Sequence, residues 1–452
     1  MPLKTVLFLG LFVVCTVGAL YTPLLGVLGY VAHYCIGPDR QWWNAPIGHW
    51  GLRYSFTLAV ATAIGMALHW RRLRFGKSLL TRHEWLIVLF LGVVWFSTLI
   101  GPETERYTIV DHPSVKFTKV AVFLFMLTHI ITTQRNLDVL FWVLIVGGLV
   151  LGLQAFTTPY SAFQSGRLER VGGPDFSDAN TLGGYLGGLL FIVAVQFIRS
   201  GWRGRLVCFL AGGFIANAIV LTRSRAAVMG VAAGALVAAI LSPRKHRRKI
   251  ILGLVLAGLG FLYLADPQFL ERTSTITTDA EQMDASAVSR IDLAKAGMRM
   301  MVDHPLGVGV GNFYQSIGRY APEYAGRDAH NTFVRCAGEL GFPGLLVFLL
   351  IIASALITFY RVMRKTKAYE TLDAHNLSLM AYGGMAALTA FLAYGLTHTI
   401  TYAEFLWWWL ALPACLTRVM ENEAAEQNIT PRLDNEETGR RAREWRKNLA
   451  AT

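Results

Sequence analysis

Charge is what this sequence has least of: Asp, Glu, Lys and Arg make up 16% of its 452 residues, where an ordinary soluble domain carries roughly 25%. That deficit excludes a chain that is water-soluble along its whole length. Cysteine is scarce as well. Cys15, Cys35, Cys208, Cys336 and Cys415 contain no CxxC pair, so neither a disulfide framework nor a thiolate metal site is supported, and small apolar filling is their simplest use. There is no HExxH, no GxSxG, no exterior DxD and no His/Asp/Glu cluster at metal-ligand spacing. A metal-dependent mechanism is therefore disfavoured, and no cofactor is implied. Ten-residue alternating segments are missing, which argues against an outer-membrane barrel. No internal repeat is visible, which weakens a transporter built from inverted halves.

What is present is a succession of apolar runs. Twelve or thirteen spans read along the chain: 3–19, 22–36, 51–69, 84–100, 116–132, 137–156, 181–198, 204–222, 225–242, 249–265, 343–360, 378–397 and 402–419. Each approaches the roughly 20 residues that a helix needs to cross a bilayer. The fold class expected is all-α, a polytopic integral membrane protein. The first two runs are either two short helices or one helix broken at Tyr21-Thr22-Pro23. Lys4 ahead of an apolar run resembles a signal peptide, but the many spans that follow favour an uncleaved first helix.

Lysine and arginine set the orientation. Loops 70–83, 133–136, 199–205, 243–249 and 361–377 hold eighteen basic residues, and loops 37–50, 101–115, 157–180, 223–225 and 398–404 hold six. The positive-inside rule places the first set in the cytoplasm and the second outside. The net charge of +13 follows from that asymmetry and from contact with membrane lipids; it is no signal for nucleic acid. Four parts result: spans with short loops over 1–265, a large exterior loop over 266–342, further spans over 343–419, and a mixed-charge cytoplasmic tail over 420–452.

The exterior loop holds the ordered-looking polar sequence. A helix is expected through 287–301, capped by Asp284 or Ser286, with Ile291, Ala294, Met298 and Met301 on one apolar face, free to lie on the membrane or to roof the bundle. His304-Pro305 stops it, glycines 307, 309 and 311 turn the chain, and a second helix starts near Asn331. In 157–180, Asp178 or Asn180 is placed to cap the next span, whose Gly183, Gly184, Gly187 and Gly188 permit close helix contact.

Chemistry is expected where cations meet that loop. Thr222-Arg223-Ser224-Arg225 occupies a turn between two spans, where guanidinium groups are costly unless they meet anions. Snorkelling to lipid headgroups is the bland use. The alternative is a phosphate clamp, because the planar fork of arginine matches phosphate oxygens bidentately. Arg290 is a third cation, and its bland use is an ion pair with Asp292 or Asp303. His330, in a polar loop outside the membrane, has the chemistry of a general base near neutral pH. His304 reads as a turn element, and Glu339 as the partner of Arg335 one turn away.

Together these residues resemble the bacterial O-antigen ligase family, which includes O-antigen ligases, O-antigen polymerases and protein O-oligosaccharyltransferases. The resemblance runs over about 155–420 and is carried by Leu221-Thr222-Arg223-Ser224-Arg225-Ala226-Ala227, Arg290, His304-Pro305-Leu306-Gly307-Val308-Gly309, Asn312-Phe313, His330-Asn331 and Glu339-Leu340-Gly341. It departs from the family at 298–301, where methionines stand in place of a tryptophan found in many relatives. It implies a GT-C-like glycosyltransferase: a metal-independent, inverting enzyme on the periplasmic face of the bacterial inner membrane. The donor implied is a glycan on undecaprenyl diphosphate, and the acceptor for a ligase is a sugar hydroxyl of lipid A core. Carried over, Arg225 and Arg290 hold the diphosphate with help from Arg223, and His330 activates the acceptor. Asn180 and Asn331 are the remaining substrate-binding candidates. A polymerase extending glycan on its carrier, and a ligase loading glycan onto protein as in exosortase-associated systems, share that donor site and stay open. A lipid-linked-oligosaccharide flippase is the reading of a different class; it expects ionisable residues deep in the spans.

Overall fold

In lipid a backbone must satisfy its polar groups without water, and each long apolar run here does so as a helix. The computed structural model describes residues 1–73, 75–103, 106–164, 166–242, 247–265, 269, 285–366, 372–429 and 444. The long helices are α1 (Leu3–Tyr21), α2 (Pro23–Ile36), α3 (Tyr54–Leu68), α4 (Arg82–Ile100), α5 (Pro113–Ile130), α6 (Gln134–Thr157) and α7 (Ala179–Arg199). They continue as α8 (Trp202–Thr222), α9 (Arg225–Leu241), α10 (Arg247–Leu264), α11 (Ala285–Asp303), α12 (Thr332–Thr366), α13 (Leu372–Gly395) and α14 (Glu404–Ile429). All thirteen expected apolar segments are helical. Among the described residues eight helices (α1, α4–α8, α12 and α13) are long and apolar enough to cross a membrane, while α3 and α9 are apolar but shorter. Among the described residues the only extended pairing is the bridge between Gln164 and Arg167. The chain is an all-α polytopic membrane protein.

The first two apolar runs are two helices. Thr22 is extended and Pro23 opens α2, where its missing N–H costs nothing. α1 and α2 pack as a hairpin, with Cys15 against Gly29 and Ala19 against Gly26. All five cysteines are buried and unpaired. Aromatic packing around α14 forms the centre of the bundle. Trp407 lies 4.6 Å from Phe117 and 6.0 Å from Phe348, and Trp409 lies 5.4 Å from Phe391, ring centre to ring centre.

The glycines of α7 do what their spacing promises. A Cβ on Gly184 would stand 2.7 Å from the Tyr394 ring, and one on Gly188 only 2.3 Å from the ring of Phe391, which is fully buried. Gly188→Val therefore drives α7 off α13. Overpacking of this kind costs about 1–3 kcal/mol, and the expected result is a lower Tm for the purified protein; an unchanged Tm would refute this packing.

Where they are described, the loops rich and poor in lysine and arginine lie at opposite ends of the bundle. At one end Arg418 donates to Ser78 O at 3.2 Å and Leu79 O at 2.7 Å and pairs with Glu84 at 2.6 Å, while Asn422 reaches Thr132 O at 3.0 Å. Arg199 pairs there with Asp138 at 2.8 Å. The tail is helical to Ile429, and Glu421 accepts from the amide of Lys77 at 2.8 Å, so its first residues are packed rather than solvated. At the other end Arg40 donates to Pro174 O at 2.9 Å, Asn312 to Pro102 O at 2.8 Å, and Arg167 to Thr222 O at 3.0 Å.

The described part of the large loop roofs this second end. Asp284 and the side chain of Ser286, the expected caps of α11, lie outside the described residues. The buried face of α11 is Leu293, Ala296 and Met300, packed with Val308, Phe313 and Val334. Of the apolar face read from the sequence, Met301 is buried and Ala294 partly buried, while Ile291 and Met298 are exposed. Gly297 decides the rotation, because it lets the Val334 side chain approach to 2.4 Å from where a Cβ would be.

α12 is broken at Gly341, whose φ of 63° and ψ of −161° lie outside helical space. Pro343 has no N–H to give Glu339 O, and the amide of Phe342 turns instead to Pro305 O at 2.9 Å. The two released carbonyls are taken by the turn after α11: Val308 N donates to Gly338 O at 2.9 Å and Gly309 N to Glu339 O at 3.2 Å. Ser97 Oγ adds a bond to Glu339 O at 2.6 Å. Only glycine fits where these backbones meet, since a Cβ on Gly341 would fall 2.1 Å from Pro305 O.

Candidate active site

Three chain segments meet beneath the roof. The first is the start of α7, where Asp178 is the cap and accepts from the amides of Asn180 at 2.9 Å and Thr181 at 3.1 Å. The second is the turn between α8 and α9. Arg223 ends α8 in the left-handed region at φ 48°, and Ser224 caps α9 through the amide of Ala227 at 3.2 Å. The two are joined by Asn180, whose Oδ1 accepts from Ser224 Oγ at 2.9 Å and from Arg167 Nη2 at 2.7 Å. Arg223 is buried, donates to Gly166 O at 2.5 Å and lies 6.0 Å from the centre of the Tyr160 ring. Arg225 is partly buried as the first residue of α9. A helix N-terminus already carries positive partial charge, so an arginine placed on it makes the spot attractive to anions.

The third segment is 328–332. His330 is left-handed at φ 45°, and among the described residues only Arg170, Arg223 and His330 are non-glycine residues with positive φ. Such geometry costs free energy and persists only where neighbours enforce it. Here Asn331 holds one side: Nδ2 donates to Leu396 O at 2.9 Å, and Oδ1 caps α12 through the amides of Phe333 at 2.9 Å and Val334 at 3.1 Å. Asp328 holds the other, paired at 3.1 Å with buried Arg335. Arg335 also pairs with Glu339 at 3.1 Å, as its spacing suggested, and donates to Tyr314 Oη at 3.0 Å. Tyr402 donates to Glu339 at 2.9 Å and completes the brace. His304 is a main-chain turn element, as its sequence suggested: its amide donates to Met300 O at 2.9 Å and its carbonyl accepts from Gly307 N at 2.8 Å.

The turn after α13 joins the three. Thr332 Oγ1 donates to His398 O at 2.8 Å, and the ring centre of His398 lies 6.3 Å from that of His330. His398 Nε2 is 3.1 Å from Thr181 Oγ1 and 3.6 Å from Asp178 Oδ1. Burial pushes the His330 imidazole below its usual pKa; Asp328 opposes this, and the neighbouring His398 and Arg290 charges reinforce it. Burial acts to raise the carboxyl of Asp178, but His398 and Thr181 outweigh it and hold Asp178 well below the usual range. Arg290, partly buried on α11, is close enough for its charge to act on His330.

Residues 210–349 match the family model described as O-antigen ligase. The chain is similar to that family over 140 of its 452 residues. A search of curated proteins returned no match. The matched stretch takes in Arg223, Arg225, Arg290, His330 and Asn331 and leaves Asn180 outside. This family supports a ligase- or polymerase-type enzyme working in a membrane on lipid-linked glycan.

The fold thus brings His330 within electrostatic reach of Arg290 and ties Asn180 to the turn bearing Arg223 and Arg225. Asn180 and Asn331 both spend amide groups on holding that arrangement. Sequence reading passed over His398, seen only as part of a loop without basic residues, and over Arg167, counted only as a charge. The signal for His398 was its place between Thr397 and Thr399 in a short loop at the same end as His330. Among the described residues no three His, Cys, Asp or Glu side chains converge as a metal-binding group.

Proposed function

We propose that the protein is an O-antigen ligase, transferring a glycan from undecaprenyl diphosphate to a sugar hydroxyl of lipid A core on the periplasmic face of the bacterial inner membrane. The observation that carries this reading is His330, forced into left-handed backbone between Asp328 and Asn331, biased toward neutral imidazole, and facing the charge of Arg290. A neutral imidazole takes the proton from the acceptor hydroxyl as its oxygen attacks the anomeric carbon from the face opposite the diphosphate, which inverts the centre. Breaking the carbon–oxygen bond leaves its electron pair on the diphosphate. Arg225 and Arg290 stabilise that charge as it develops, and Arg223 and Asn180 shape the turn that presents Arg225. Spans such as α1, α4 and α8 expose apolar side chains, Leu7, Leu89 and Phe209 among them, and along such surfaces a polyprenyl chain enters from the lipid while its diphosphate meets the roof.

The test uses the purified full chain in lipid nanodiscs with undecaprenyl-diphosphate-linked glycan, offered lipid A core, a peptide, or no acceptor. Modified core lipid is the expected product, formed equally in excess chelator. Glycosylated peptide points to protein ligation, and lengthened glycan on the carrier points to polymerisation; either overturns the acceptor assignment. Strict dependence on a divalent cation overturns the mechanism.

A further inference from the structure

Beside His330 stands a second imidazole that the transfer step, as described, does not use. His398 lies in the turn after α13 and is reached from α7 by Asp178 and Thr181, from the 328–332 segment by His330, and from α13 by Tyr394 with ring centres 5.3 Å apart. Thr181 Oγ1 donates to Asp178 Oδ2 at 2.5 Å, so the same oxygen is left as an acceptor for His398 Nε2 at 3.1 Å. Asp178 Oδ1, 3.6 Å from Nε2, asks for the same tautomer. The hydrogen therefore sits on Nε2, and Nδ1 presents a lone pair. That Nδ1 is buried and has no hydrogen-bond partner within the protein, which costs free energy unless a water or a ligand supplies one.

We infer that His398 is a positioning residue for glycan transfer: through one bridging oxygen, a water or a substrate hydroxyl, its Nδ1 accepts the N–H of His330 and leaves the other His330 nitrogen free to act as base. The inference rests on the function proposed above. Ring centres 6.3 Å apart are too far for a direct bond and suit one bridging oxygen. When His330 takes the acceptor proton, the new C–O bond forms and the diphosphate leaves with its electron pair. The resulting imidazolium is stabilised through His398 and Thr181 by the Asp178 carboxylate. A carboxylate that orients an imidazole and steadies its cation acts in the same way in serine hydrolases. The charged and titratable groups facing His330 are Asp328, Arg290, Asp178 and His398.

The experiment compares kcat, donor KM and Tm for His398→Phe, His398→Asn, Asp178→Asn and the Phe/Asn double variant, with His330→Asn as reference. Asn at 178 keeps the helix cap, and Asn at 398 keeps an acceptor near the place of Nδ1. Expected for His398→Phe is a loss of about 100-fold in kcat at unchanged donor KM. His398→Asn recovers most of the rate, and the double variant is no slower than His398→Phe alone. Equal losses in the Phe and Asn variants with lowered Tm, or additive losses in the double variant, overturn the inference. If His330→Asn transfers glycan at the wild-type rate, the function itself is wrong; if it is inactive while His398→Phe is normal, only the role of His398 falls.

Discussion

Replacing His330 by asparagine reduces glycan transfer by about 10²–10⁴-fold, the range set by loss of a general base, while membrane insertion and Tm stay near wild type. Asparagine is the informative substitution. Among residues with side chains it is one of the most tolerant of left-handed backbone, so the strain at φ 45° is not made worse, whereas alanine would add folding loss to chemical loss. The wild-type pH profile gives a second reading of the same group. A base must be unprotonated, so activity holds above its pKa and falls as pH drops through it. Burial, Arg290 and His398 press His330 below the usual 6.5 against the pull of Asp328 and Asp178. The acid limb of kcat/KM is accordingly centred below 6.5. A limb centred at or above 7, or a His330→Asn variant with ordinary rates, removes His330 from the mechanism.

Replacing Arg290 by glutamine costs about 10²–10³-fold in kcat, the usual effect of removing one preorganised donor to a developing anion. Coulomb's law adds a signature that no structural defect would mimic. Arg290 lowers the pKa of His330 because its positive charge disfavours imidazolium. Without it the pKa rises, so the residual activity shows an acid limb moved to higher pH. Lysine at position 225 should rescue poorly for a related reason: a point charge does not reproduce the two parallel bonds of a guanidinium to phosphate. Normal kcat in Arg290→Gln, or a limb moving the other way, would sink the assignment.

The fold was legible in the letters because a bilayer permits so little. Unbroken apolar runs had no option but helix, and the described parts of the loops rich and poor in basic residues gather at opposite ends of the bundle. Local pairings at helical spacing were equally open to reading, as with Arg335 and Glu339. What escaped depends on partners far away in sequence. The rotation of α11 is set by Val334 and Phe313 meeting Gly297, so a count of apolar steps did not show that Leu293, Ala296 and Met300 face the protein. Asn180 and Asn331 were picked as substrate ligands, and only the contacts with Arg167, Ser224 and Leu396 reveal how much of each amide is engaged. His398 gains its meaning from Thr181, more than 200 positions earlier, a distance across which no sequence period reaches.

The break in α12 has a consequence for how such a protein diversifies. The roof is clasped to the bundle by main-chain atoms of 305–309 and 338–342, with Pro343 withholding the one amide that would compete. Side chains around that clasp are free to vary in size and polarity without unfastening it, provided the glycines at 307 and 341 remain. Selection for a new acceptor can therefore rework the outward surface of α11 while the reacting groups below keep their register, much as a fixed hinge accepts successive doors.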